Sequence, residues 1–222
     1  LVRSEYGESG FKNLRNTKDE VKKIEKTLVD SGFSVKAYLG SKGNAESFVA
    51  LNGKSPSIVH IATHGFYYTP DEAKDKDFLS GYTDAMSLSG LVFAGGNAAW
   101  LGKKNVDGVL GGVLTAKDIA NLDFKGTDLL VLSACKTGQG KVTAEGVFGL
   151  QRAFKKAGVG TIIMSLWNVD DKVTSEFMVA FYEQLTDKAN NWNKRKAFEQ
   201  TKEIIRKKHP DPYYWAAFVM LD

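Results

Sequence analysis

Three short runs constrain the architecture most: residues 58–65 (IVHIATHG), 129–135 (LLVLSAC) and 159–166 (VGTIIMSL). Each is apolar, strand-length and bounded by turn residues, the pattern of a strand covered on both faces. Helix-type segments separate them, so the expected class is α/β with a mainly parallel sheet. In an open parallel sheet, chemistry gathers just beyond the carboxyl ends of the strands. Two of the runs end in reactive side chains: His64 followed by Gly65, and Cys135 preceded by Ser133 and Ala134. If those strands are neighbours, an imidazole meets the only thiol of the chain, which is what a cysteine nucleophile requires.

Around these runs the chain alternates helix and strand patterns. Residues 1–16 read as loop. A helix opens with Thr17 as its cap, Asp19 and Glu20 at its positive end, and Val21, Ile24 and Leu28 as its apolar stripe. Gly32 stops it, and residues 33–39 read as a short strand. A second helix begins at Ser41 or Asn44 and carries Phe48, Val49 and Leu51. Residues 66–108 are the least regular stretch: 71–77 (DEAKDKD) is charged and exposed, 91–93 is a hairpin strand, and 95–97 and 104–108 are turns. A connection this long between core strands is usually functional or disordered. Thr115 caps a short helix ending near Leu122, and the polar loop 136–143 leads into a helix over 144–157 that Gly158 ends. Two further helices follow, one bearing Val173, Phe177, Tyr182 and Leu185 and one over 194–207. Pro210 and Pro212 break the latter, and 213–221 returns as a closing strand or core segment.

The 222 residues fit one domain that can bury a core. A net charge of +4 is mild, and the lysines lie along helix faces without interleaved stacking aromatics, so nucleic-acid binding is not expected. One cysteine makes no internal disulfide and suits a reducing compartment, the cytoplasm. No apolar run approaches the roughly 18 residues that span a bilayer. The first residues carry no apolar signal segment, and a start at Leu1 rather than Met fits a piece of a longer chain.

The Cys/His pair implies a definite mechanism. His64 takes the Cys135 proton, the thiolate attacks a carbonyl to form an acyl-enzyme, and the imidazolium protonates the leaving amine. The backbone N–H groups of Gly65 and Cys135 are the candidate oxyanion hole, because glycine lets main chain approach the substrate. Against this stands a buried structural cysteine, a common fate of free Cys. His60, four residues before His64, lacks the glutamate of a zinc-binding HExxH helix and lies in strand-type sequence, so a core hydrogen-bonding role near the site is expected. His209, before Pro210, reads as structural. The stretch 138–141 (GQGK) has Val142 where a phosphate loop needs Ser or Thr, and no Gly-x-Ser-x-Gly elbow occurs.

The combination of an apolar run ending in His-Gly with one ending in Ser-Ala-Cys resembles the caspase-like (clan CD) cysteine peptidases, a group that includes caspases, legumains, gingipains and separases. Within that group the chain is similar to the CHAT domain, a module often found with TPR repeats. The matching text is 58–67 (IVHIATHGFY), 114–171 and 209–222 (HPDPYYWAAFVMLD), with similarity from about residue 14 onward. The resemblance implies a three-layer α/β/α sandwich over residues 1–222 and a catalytic dyad of His64 and Cys135. It implies a cysteine endopeptidase cutting a specific protein partner, without metal or organic cofactor, under control of an upstream sensor or TPR region. Loops 66–108 and 136–143 are the expected places for gating or self-cleavage. It also implies a first core strand ahead of the helix at Thr17, lying between 33–39 and 58–63. Nothing in 1–16 reads as that strand, so it is expected upstream of residue 1. In the related families the segment after the strand that follows the cysteine lines the pocket for the residue before the scissile bond. Here that segment supplies Ser165, Trp167, Asn168, Asp170 and Asp171. Asp170 or Asp171 would select a basic side chain by charge pairing; alternatively one of them, Asp171 foremost, caps the next helix. The alternative function is a non-catalytic caspase-like interaction module, and the third reading is a structural domain with an inert thiol.

Overall fold

The computed structural model describes residues 6–7, 10–74, 79, 81–101, 111–133 and 144–222, with backbone alone for 6–7 and 144–148. The elements run β1 (Tyr6–Gly7), β2 (Gly10–Phe11), α1 (Thr17–Asp30), α2 (Ala45–Val49), β3 (Ile58–Ile61) and β4 (His64–Tyr67). Next come α3 (Pro70–Ala73), β5 (Ser89–Val92), α4 (Gly96–Trp100), β6 (Val113–Thr115), α5 (Ala116–Ile119) and β7 (Leu129–Leu132). The chain finishes with α6 (Ala144–Lys156), β8 (Thr161–Ser165), α7 (Asp171–Thr186), α8 (Lys194–Lys208), α9 (Pro212–Trp215) and β9 (Phe218–Leu221).

The three apolar runs of the sequence form the central sheet, ordered β3-β7-β8-β9. β3 is parallel to β7 and β7 to β8, while β9 closes the far edge antiparallel. Because successive side chains leave a strand on opposite faces, β7 divides its residues between two cores. Leu130 and Leu132 join Phe48, Ile119 and Phe154 from α2, α5 and α6. Leu129 and Val131 join Ile24, Phe177 and Phe198 from α1, α7 and α8. The result is the expected α/β/α sandwich. Phe177 stacks on Phe218 at a centroid separation of 3.8 Å, tying α7 to β9. Burying each such ring stabilises the fold by about 1.5–3 kcal/mol.

Four expectations for the elements require correction. Residues 1–16, read as loop, contain the antiparallel pair β1 and β2, with Tyr6 opposite Phe11. Residues 33–39 follow strand-like alternation, half-buried at odd positions and exposed at even ones, yet form no strand, because no neighbour among the described residues supplies ladder hydrogen bonds. The N-cap of α1 is Asn16, with Thr17 already inside the helix. Residues 66–108 contain more order than their turn residues imply: β4, β5 and β6 make a second, antiparallel sheet with β5 central. Gly90 makes this sheet possible, because a Cβ there would stand 2.2 Å from the Leu114 carbonyl oxygen. The turn at 104–108 lies outside the described residues.

Capping follows the sequence elsewhere. Thr115 accepts from the Asp118 amide while Asp118 accepts from Thr115, a reciprocal box. Asn44 caps α2 by accepting from Ser47 N–H at 2.9 Å.

A polar chain crosses the α1/α7 side of the sheet. His60 Nε2 lies 3.0 Å from Glu20 Oε1, and Tyr182 Oη lies 3.4 Å from His60 Nδ1. A carboxylate only accepts, so Nε2 donates to Glu20 and Nδ1 is left to accept from the phenol. Burial, aided by the Glu20 charge, raises the Tyr182 pKa above its ordinary value near 10. A raised folded-state pKa contributes stability that is complete below the unfolded value and lost as pH climbs above it. Urea unfolding at pH 8 and at pH 10.5 is therefore expected to show a larger alkaline loss for the wild type than for Tyr182→Phe. Equal losses would show that the phenol carries no such linkage.

Candidate active site

β3 and β7 lie side by side with Ile61 opposite Leu132, and the Ser133 amide donates to the Ile61 carbonyl at 2.8 Å. Both strands therefore end level, at one rim of the sheet. His64 stands three residues beyond Ile61, and Cys135 three residues beyond Leu132. Cys135 and the loop 136–143 lie outside the described residues, and so does the thiol half of the expected dyad.

The imidazole half is well defined. The sequence reading ran β3 straight to His64, but the chain turns at Ala62 and Thr63 and His64 opens β4, paired opposite Val92 in the second sheet. The Thr63 hydroxyl donates to the Val92 carbonyl across this turn. His64 is 8 % exposed, with its ring 5.0 Å from that of Phe11. Its Nε2 is 2.7 Å from the Lys12 carbonyl oxygen. A carbonyl only accepts, so Nε2 donates, and a neutral ring held this way exchanges protons through Nδ1. Gly65 follows in β4, opposite Leu91.

The support for His64 comes from residues that the sequence pattern leaves as loop. Asn97 of α4 brackets Phe11: its Oδ1 accepts from Phe11 N–H at 2.7 Å and its Nδ2 donates to Phe11 O at 2.9 Å. One side-chain amide thus imitates a strand partner and fixes the backbone that presents the Lys12 carbonyl to His64. Gly10, at φ +80°, allows the approach, since a Cβ there would meet Asn97 Oδ1 at 2.7 Å. The 86-residue separation of Phe11 and Asn97 leaves no local signal of this clamp.

The expected substrate-binding segment continues beyond β8, whose Thr161 and Ile163 lie opposite Leu129 and Val131 of β7. Ser165 is 3 % exposed at the end of that strand. Trp167 Nε1 donates to the Tyr213 carbonyl at 2.9 Å, and Asn168 follows it in the turn toward α7. The cap of α7 is Asp170 rather than Asp171: its Oδ1 accepts from Lys172 N–H at 2.9 Å and Val173 N–H at 3.3 Å. Asp171 is buried, and its Oδ2 accepts from both the backbone and side-chain N–H groups of Asn16, at 3.2 and 2.6 Å. That contact ties the entry of α1 to the entry of α7. His60 binds Glu20 and Tyr182 as described, and His209 Nε2 meets Glu176 Oε2 at 2.9 Å. Among the described residues, no three His, Cys, Asp or Glu side chains are grouped to hold a metal ion, and no helix is long and apolar enough to cross a membrane.

The family model of the CHAT domain matches residues 4–222. The chain belongs to the CHAT domain family. The sandwich, the mainly parallel sheet and the level ends of β3 and β7 agree with the caspase-like fold of that family. Among curated relatives, this CHAT domain is similar to "Tetratricopeptide repeat protein 28" of Homo sapiens, 32% identical over 111 residues. The Mus musculus protein of the same name is 31% identical over 111 residues. The match covers 49% of this CHAT chain and only 4% of the length of either relative.

Proposed function

We propose that this CHAT domain is a cysteine endopeptidase whose dyad is Cys135 and His64, acting on a specific protein partner. Register supports this reading: parallel neighbours β3 and β7 end together at Ile61 and Leu132, each three residues before one member of the pair. The Cys135 S–H proton passes to His64, and the thiolate adds to the peptide carbonyl carbon, forming a C–S bond and an oxyanion. The N–H groups of Gly65 and Cys135 stabilise that oxyanion. Collapse breaks the C–N bond, and the imidazolium returns its proton to the departing amine. Water, deprotonated by His64, then attacks the thioester; the C–S bond breaks, releasing a carboxylic acid and the thiolate. Nothing in this cycle calls on a metal or an organic cofactor.

Ser165, Trp167 and Asn168 form the wall for the residue before the scissile bond. Of the two aspartates, Asp170, half-buried where it caps α7, is the one left to favour a basic side chain there, since Asp171 is buried against Asn16. The similarity to a protein named for its tetratricopeptide repeats supports a repeat region, in the same polypeptide or complex, as the regulator. The single thiol suits the cytoplasm.

A second reading, a non-catalytic caspase-like interaction module, is favoured by the close cover of His64 by Phe11 and Lys12. Proteome-derived peptides incubated with the intact polypeptide and with its Cys135→Ala form separate the two. New N-termini that appear only with wild type establish the peptidase and its preference. Identical peptide maps, with the partner still captured by both forms, would assign the interaction module.

A further inference from the structure

The Lys12 carbonyl that meets His64 Nε2 belongs to a short strap of chain running from Phe11 to Asn16. Between those two residues Lys12, Asn13 and Arg15 are exposed and only Leu14 is half-buried. Little apolar burial therefore fixes the middle of the strap, and its position is set at its ends. Each end is held by two hydrogen bonds from one side chain far away in the sequence.

At the first end the Asn97 amide accepts from Phe11 N–H and donates to Phe11 O, while the buried Phe11 ring meets Trp100 edge-on at 4.6 Å. At the second end Asp171 Oδ2 accepts from the backbone and side-chain N–H groups of Asn16, 155 residues away in the chain. The Asn16 carbonyl accepts from Glu20 N–H at 2.9 Å, so this end is also the first turn of α1. A loop this short, closed at both ends, keeps little conformational freedom. The carbonyl it carries is thereby held still against the imidazole.

We infer that Asn97 and Asp171 are positioning residues for the His64 base, pinning the strap whose Lys12 carbonyl sets the tautomer and orientation of the ring. A base needs such an orienting group behind it, because the wrong tautomer presents a proton where a lone pair is required. Neither residue touches substrate in this role. Asp171 thus parts company with the pocket wall to which its charge and its place beside Asp170 would assign it: its carboxylate is 3 % exposed and spent on Asn16. Because Asp171 directly follows residues 165–170, the wall and the base are tied to one another through the strap. The catalytic consequence rests on the peptidase reading, whereas the hold on the ring does not.

Nitrogen-15 NMR of the intact polypeptide labelled at histidine reads the ring without turnover, with His64→Gln identifying its signals. At about pH 8.5, where imidazoles are generally neutral, wild type should show one tautomer, protonated at Nε2. Asn97→Ala and Asp171→Ala should each mix in the Nδ1-protonated form. On a substrate found by the peptide comparison, both should lose about 10- to 100-fold in kcat with KM within about threefold, as expected of a base moved out of place. Asn97 is exposed, so its variants leave the core intact, and Asn97→Asp keeps the acceptor for Phe11 N–H while losing the donor to Phe11 O. It should move both readouts the same way by less. A wild-type ring already mixed between tautomers overturns the inference, as does a single tautomer retained in both Asn97 variants. A higher KM for basic substrates with unchanged kcat in Asp171→Ala returns that residue to the pocket and overturns its part. If wild type cleaves no more than Cys135→Ala, the peptidase reading fails by that comparison alone, and the ring signals still decide whether the pins hold.

Discussion

Replacing His64 with alanine is expected to lower kcat/KM for peptide cleavage by about 10²- to 10⁴-fold, because one ring performs every proton transfer of the cycle. The Lys12 carbonyl at Nε2 gives the ring a fixed tautomer and orientation, so the loss includes positioning as well as proton transfer. His64→Gln separates these contributions: its side-chain N–H can still serve the carbonyl, yet it carries no base, so activity should fall about as far as in His64→Ala. The double variant Cys135→Ala/His64→Ala should be no slower than Cys135→Ala alone, since residues that act as a unit are grossly non-additive. Steady-state cleavage of a substrate found by the peptide comparison gives all four rates. A His64→Ala enzyme within about threefold of wild type would remove His64 from the chemistry, far short of the loss expected for a general base.

The sheet was legible because β3, β7 and β8 are covered on both faces and so read as continuous apolar text. The two-layer helical cover followed from amphipathic spacing, as in Ile24 and Leu28 of α1. Residues 33–39 show the limit of such reading. Alternating burial depends on local sequence, whereas a strand also needs a neighbour's backbone, and none of the described residues provides one. Of the second sheet only the hairpin strand at 91–93, within or beside β5, was legible, for the converse reason. β4, β5 and β6 are short, and their pairing depends on a close approach at Gly90 rather than on a local pattern. At the candidate site, His64 was visible as a motif, but its holders were not: a main-chain carbonyl and the Asn97 amide leave no periodic trace. The Asp170/Asp171 choice was decided by backbone. Asp170 has φ −50° and ψ 138°, outside the helix, where its carboxylate can turn back onto the first amides of α7.

Glu20→Ala is expected to cost about 1.5–3 kcal/mol, the usual size of a buried hydrogen bond to a charged group, because it leaves the His60 Nε2–H without its acceptor. Glu20 is fully buried and faces His60, whose side chain is only 10% exposed, so little water can replace the lost carboxylate. Domain stabilities lie near 5–15 kcal/mol, and a loss of this size is therefore visible as a large shift of the urea midpoint. Glu20→Gln keeps an oxygen able to accept from His60 Nε2 and gives up only the charge, so its cost should be nearer 1 kcal/mol. A double-mutant cycle with His60→Ala should recover part of the loss, because the second deletion removes the group that the first left stranded. Additive losses, or a Glu20→Ala cost below about 1 kcal/mol, would show that water reaches this cluster and that the pair is not buried in solution.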